Sequence, residues 1–137
     1  FGDPETEAVL PRIAGDLIPA LQACIDGTLH DGLIQIRPEA AATVVMAAGG
    51  YPGNYVKGTV IHGLSDAATV KGAVVFHAGT RTKDGVVVTA GGRVLAVTAL
   101  GADLETAVGH AYEAVAKISW EGAQYRKDIA RRAFNRG

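Results

Sequence analysis

The chain has 137 residues, 48% of them apolar, with 13 Lys and Arg against 14 Asp and Glu. That length and apolar share suit a single domain core and exclude a disordered tail. A net charge of −1 argues against a nucleic-acid or membrane-surface binder working through bulk electrostatics. The longest uncharged, mostly apolar stretch, Ala40 to Tyr51, is far shorter than the ~20 residues of a bilayer span. One cysteine, Cys24, gives no disulfide framework and no cysteine cluster for a metal, which fits a reducing, cytoplasmic setting. Eighteen glycines are about twice the ordinary share of ~7%, so the chain needs many tight backbone turns.

The sequence opens Phe1-Gly2-Asp3-Pro4-Glu5, with no initiator Met and no signal-peptide pattern, and reads as cut from a longer polypeptide. From Pro4 to about Cys24, apolar residues at Val9, Leu10, Ile13, Leu17, Leu21 and Ile25 trace a helical stripe. Pro11 and Pro19 interrupt it, which predicts two short helices, the second capped by Asp16 and stopped at Asp26-Gly27. Such a stripe would stay wet on a free two-helix piece, so it is expected to pack on a body outside this sequence.

From Thr43 to Leu100 the pattern turns to β, with runs at Thr43–Ala47, Thr59–Ile61, Ala73–Phe76, Val86–Thr89 and Val94–Leu100. Glycine pairs and Pro-Gly or Asp-Gly steps separate them, which predicts an antiparallel sheet curled into a small barrel or sandwich. Asp84-Gly85 is the strongest tight-hairpin signal. Beyond it, Leu104, Val108, Ala111, Val115 and Ile118 mark a helix over Leu104–Ile118, capped by Asp103 and covering one sheet face. The tail after Trp120 is basic, with Arg126, Lys127, Arg131, Arg132 and Arg136, and ending at Gly137 it reads as a natural terminus. The fold class is α+β, with a domain boundary near Arg37-Pro38.

Several residues could carry chemistry. Asp3, Glu5 and Glu7 could hold a metal or an amine, or could be the solvated acidic start of a helix. Thr89-Ala90-Gly91-Gly92-Arg93 pairs a backbone open to close approach with a multi-donor guanidinium, which suits a phosphate, though an ordinary hairpin has the same pattern. The loop from Gly49 to Gly58, with Tyr51, Tyr55 and Lys57, could line a site or simply connect strands. His77 ends a strand beside the Ala78-Gly79-Thr80 turn, as a structural or a catalytic group. His30, His62, His77 and His110 have no metal-ligand spacing, and no nucleophile-elbow or Walker pattern is present.

Taken together the motifs resemble one family, the phosphoribosylamine–glycine ligases or glycinamide ribonucleotide synthetases. The matching stretches are Phe1-Gly2-Asp3-Pro4-Glu5-Thr6, Gly50-Tyr51-Pro52-Gly53 with Tyr55 and Lys57-Gly58, Phe76-His77-Ala78-Gly79-Thr80, and Thr89 through Leu95. Gly101, Ala111-Tyr112 and Tyr125-Arg126-Lys127-Asp128-Ile129 follow in the family's order. The resemblance implies the C-terminal portion of an ATP-grasp enzyme of purine biosynthesis, which joins 5-phosphoribosylamine to glycine and splits ATP to ADP and phosphate with Mg²⁺. In that chemistry the glycine carboxylate is phosphorylated and the amine attacks the acyl phosphate, which demands positioning and shielding from water.

The resemblance further implies that ATP and Mg²⁺ are bound mainly by the N-terminal part, upstream of Phe1, so that this chain alone is inactive and holds no metal. Residues 1–36 would end the ATP-grasp domain, and residues 37–137 would be the ligase C-terminal domain, a small β-barrel or sandwich hybrid. Asp3, assisted by Glu5, would orient the attacking amine or the glycine. Arg93, with the amides of Gly91 and Gly92, would hold the 5′-phosphate, His77 and Thr80 would complete that wall, and Tyr51 and Lys57 would close over it. The family's usual Gly after the Asp-Ile pair is Ala130 here, which bears on the backbone shape of the tail. Two readings from other classes remain: a biotinyl or lipoyl carrier, disfavoured because Met46, the only Met, is followed by Ala47, and a non-catalytic packing module.

Overall fold

A computed structural model describes residues 1–134, and one antiparallel sheet with a helix across it forms the body. Arg136 and Gly137 of the predicted basic tail lie outside the described residues. At the start, α1 (Glu5–Val9) runs into a 3-10 turn at Leu10–Arg12, where Pro11 supplies no amide hydrogen to continue an α-helix. A strand of two residues follows, β1 (Ile13–Ala14), which pairs antiparallel with β2 (Gln35–Ile36). Between them lies α2 (Ile18–Asp26), with Pro19 in its first turn.

Two short helices therefore form where the prolines predict them. Asp16 accepts from the Ile18 N–H at 2.9 Å, but the helix boundary places Leu17, not Asp16, at the N-cap. Gly27, at φ +69°, stops the helix and donates its N–H to the Ala23 carbonyl. Of the predicted stripe, Val9, Leu21 and Ile25 are exposed and Leu10, Ile13 and Leu17 half-buried, and only Ala20 and Ala23 of α2 are buried.

The main sheet comprises β3 (Ala40–Ala47), β4 (Ala73–His77), β7 (Arg93–Gly101) and β8 (Gln124–Tyr125) in the order β4-β7-β3-β8. Strands β5 (Thr80–Lys83) and β6 (Val86–Thr89) form a separate ribbon. Its two-residue connection is Asp84-Gly85, with φ +51° and +78°, the paired positive values of a type I′ hairpin.

The sheet does not close, so the expected barrel or sandwich is corrected to an open antiparallel sheet with helices. After β4 the chain turns at Ala78-Gly79, where the Gly79 amide donates to the Arg93 carbonyl and the Gly91 amide to the Gly79 carbonyl. That turn carries β5 out of the sheet, while β8, the opposite edge, is only two residues long. The predicted strand at Thr59–Ile61 is not a named strand either. It runs beside β6, with Ile61 N–H donating to Val87 and Thr89 N–H to Thr59, then leaves to pair His62 with Ser119.

Helix α4 (Leu104–Lys117) lies on β7 and β3. Strict alternation along β3 buries Ala42, Val44 and Met46, and their partners Ala99, Val97 and Leu95 on β7 are buried with them. The helix answers with Ala107, Ala111, Ala114 and Val115, so small residues, more than the predicted Leu104 and Val108, make the contact. Burying a side chain such as Leu95 or Val97 contributes about 1.5–3 kcal/mol relative to leaving it exposed. The opposite face carries Thr43 and Thr98, whose hydroxyls hydrogen-bond at 2.7 Å, and α1 covers part of it.

Candidate functional site

Register sets the site. Met46 pairs with Leu95, but Ala47 pairs with Arg93, so Val94 is an extra residue on β7. Without it, period-two alternation would put Arg93 on the core face with Leu95. The bulge buries Val94 and turns Arg93 to the other face, beside Val45 and Ala47. There a cleft of about 360 Å³ opens, lined by Val45, Ala47, Tyr51, Arg93, Gln124, Tyr125 and Arg126.

Asp3, itself outside the lining, reaches Arg93 at this cleft from the N-terminal segment. Its Oδ2 accepts from Arg93 Nη2 at 2.9 Å, with both side chains a little under half exposed. A pair this open to solvent is worth about 0–1 kcal/mol, so it is a weak fastening that another ligand could displace. Glu5 is exposed at the start of α1, and its carboxylate folds back over Gly2. Glu7 is half-buried, with Oε2 unpaired. Among the described residues no three His, Cys, Asp or Glu side chains gather as a metal cluster would require.

Tyr51 lies against the Gly92 turn so closely that a Cβ on Gly92 would collide with its ring. Gln124 Nε2 donates to the Tyr51 carbonyl at 3.0 Å, tying the loop to β8. Tyr55 meets Tyr51 edge-on at 6.2 Å, and Lys57 Nζ stands 5.6 Å from the Tyr55 ring centre. Lys57 thus props the loop and does not line the cleft. The Gly91 N–H is engaged by the Gly79 carbonyl at 3.1 Å, and the Gly92 carbonyl accepts from Ala48 at 2.8 Å. His77 Nδ1 and Thr80 Oγ1 are hydrogen-bonded at 3.0 Å on the turn behind Gly91, outside the lining of the cleft.

The structure therefore brings Asp3, Arg93 and Tyr51 together, with Gly91 and Gly92 shaping the turn beneath them. Gln124, Tyr125 and Arg126 complete the cleft without having been assigned a role from sequence. Their signal was the Tyr125-Arg126-Lys127-Asp128 run. Arg126 donates to Asp128 through Nε at 2.9 Å and Nη2 at 2.8 Å. That pair raises the Arg126 pKa and holds the Asp128 carboxyl below its usual range. Met46 is fully buried in β3, which removes the Lys-Met hairpin tip that a carrier domain needs.

Residues 41–132 match the family described as "Phosphoribosylglycinamide synthetase, C domain". The chain is 52% identical over 135 residues to the phosphoribosylamine–glycine ligase of Synechocystis sp., covering 98% of this chain and 32% of that protein. It is 48% identical over 136 residues to the Pseudomonas aeruginosa ligase, covering 99% and 32%. Similarity extends to the trifunctional purine biosynthetic protein adenosine-3 of Gallus gallus, 52% identical over 98% of this chain and 13% of that one. Among solved structures, the crystal structure of phosphoribosylamine–glycine ligase from Thermotoga maritima superposes with a TM-score of 0.77. It shares 36% identity and covers 93% of this chain and 31% of its own.

Proposed function

The chain belongs to the phosphoribosylglycinamide synthetase C-domain family, and from that premise we propose that it is the C-terminal part of a phosphoribosylamine–glycine ligase. The chain spans about a third of the length of the ligases it matches, so the activity belongs to a longer protein. That activity is the ATP-dependent joining of 5-phosphoribosylamine and glycine to give glycinamide ribonucleotide in purine biosynthesis, in the cytoplasm. Residues 1–36 end its ATP-grasp part, and residues 37–137 form the C-terminal domain. The activity also calls for Mg²⁺ and its nucleotide, for which the described residues gather no three His, Cys, Asp or Glu side chains. Both are assigned to the part upstream of Phe1, and this chain alone is inactive.

What the chain supplies is a place for phosphoribosylamine. The observation that carries this reading is the Asp3–Arg93 pair at the mouth of the cleft. Arg93 offers a guanidinium fork to the 5′-phosphate, and a dianion competes well with a single half-exposed carboxylate. Asp3, once released, is an acceptor for the N–H of the attacking amine, with Glu5 beside it at the helix start. Tyr51 shields the phosphate end from water, Gly92 lets the turn pass under its ring, and Gly91 lets the turn close on Gly79. Lys57, His77 and Thr80 stiffen the two loops that frame the cleft.

Arg93→Ala in a full-length ligase carrying this chain tests the assignment. Losing a charge-assisted hydrogen bond should raise KM for phosphoribosylamine by about ten- to one-hundredfold, with KM for glycine and ATP nearly unchanged. Unchanged kinetics with a lower Tm would mean that Arg93 only fastens Asp3 to the sheet, which is the packing-module reading.

A further inference from the structure

We propose that Arg126 is the second arm of this phosphate site, with Asp128 as the residue that positions it. The inference rests on the Arg93 reading. Of the described residues lining the cleft, only Arg93 and Arg126 are cationic. A phosphate monoester carries about −1.5 to −2 charges at neutral pH and three acceptor oxygens, more than one arginine satisfies. The cleft is thus complete for a phosphate only if both arginines take part.

The geometry at Arg126 is that of a prepared donor. Asp128 takes Nε and one hydrogen of Nη2 in a two-point pair, which biases the plane of the guanidinium while the Arg126 side chain stays 74% exposed. Among the described residues no partner takes the other three of its five N–H groups, two of them on Nη1. The backbone is fixed. Tyr112, on α4, donates its hydroxyl to the Arg126 carbonyl at 2.7 Å and accepts from the Ile129 N–H at 3.1 Å. Residues 126–129 are thereby clipped to the helix that underlies the sheet, and Tyr125 and Gln124 pair with Met46 and Ala47 of β3. Arg93 approaches from the same stretch of β3, since Ala47 pairs with both Gln124 and Arg93. Arg93, at the start of β7, and Arg126, just past β8, therefore flank one end of β3, and both line the cleft.

The competing explanation is that the Arg126–Asp128 pair is only a clip for the C-terminal segment. Full-length ligase variants separate the two. Arg126→Gln is expected to raise KM for phosphoribosylamine about ten- to one-hundredfold, leaving KM for glycine and ATP within about twofold. Asp128→Asn should give a smaller rise of the same kind, because the donor remains but loses its preferred plane. Arg126→Lys should recover part of the loss, since it keeps the charge without the fork. Ribose 5-phosphate should raise the Tm of the wild-type protein, ribose should not, and Arg126→Gln should abolish the difference. The Arg93→Ala/Arg126→Gln pair should lose less than the product of the single effects, as two groups on one ligand do. If Arg93→Ala moves KM for phosphoribosylamine and neither Arg126 variant does, the inference is overturned and the Arg93 reading stands. If neither arginine moves it, both are wrong. Should Arg126→Gln not fold, the Lys variant decides, and an unchanged KM and ribose 5-phosphate shift there overturn the inference.

Discussion

Ala130 shows how one side chain can depart from the backbone it occupies. Its φ is +63°, in the left-handed region that glycine adopts freely and that costs an L-residue about 1–2 kcal/mol. The Asp128 carbonyl accepts from Arg131 and the Ala130 carbonyl from Ala133, so the turn is held from both sides and alanine is carried through it. Ala130→Gly should therefore stabilise the protein. Part of the gain is offset by glycine's larger entropy in the unfolded chain, leaving about 0.5–1 kcal/mol, or a few degrees in Tm. Thermal unfolding of the two proteins side by side measures it, and a lower Tm in the glycine variant would sink the strain argument. The sequence held this site in view, because an alanine stands where the resembling family has glycine. It could not announce the Asp3–Arg93 pair, whose members are ninety positions apart and meet only because Val94 bulges. Alternation alone would have sent Arg93 into the core.

At the scale of elements, legibility followed locality. The Asp84-Gly85 hairpin, the Gly27 helix stop and the helix from Leu104 are set by neighbours a few residues away, and each forms as its pattern predicts. Closure of the sheet depends on partners far apart in the chain. Nothing in the run Thr59–Ile61 says that it will lie against β6 and then depart for Ser119. Helix α4 illustrates the local case. Asp103 accepts from the Thr106 N–H at 2.7 Å, and this bond lowers its pKa. Close by, Gly101 lies so tight against the backbone of Thr106 and Ala107 that no Cβ would fit. A carboxyl whose folded pKa is depressed contributes stability above the ordinary value of 3.8, and that contribution is lost as pH falls through the folded value. Asp103→Ala should thus be less stable than the wild type at pH 7, and the gap should narrow below pH 3.8. Denaturant titrations at several pH values check this, and a gap independent of pH would assign the effect to something other than the charged cap.

The molecule as a whole is two unequal parts, the main sheet with α4 and an N-terminal segment with α2 and the β1–β2 pair. One side of β3 and β7 is sealed by α4 over a continuous apolar core, while α2, which leads into β2, leaves Ile18, Leu21 and Ile25 in solvent with Leu29, Ile34 and Ile36 close behind in sequence. Glu7, Arg12 and Glu39, which flank that region in sequence, each bury a polar atom with no partner among the described residues. Buried polar groups normally find partners, so these three together with the bare apolar residues support the proposal that residues 1–36 meet a further body in the longer protein. The consequence is a gradient of local stability. Amides of β7 and α4 should exchange with solvent only through global unfolding, whereas those of α2 should open locally and exchange roughly a hundredfold faster or more. In a full-length ligase carrying the same residues, α2 should slow by at least about tenfold while β7 and α4 change little. Hydrogen exchange read by mass spectrometry on both proteins makes the comparison peptide by peptide. Equal protection of α2 in the two would mean that its apolar face already has all the partners it uses, and the assignment of residues 1–36 to the edge of a larger domain would fail.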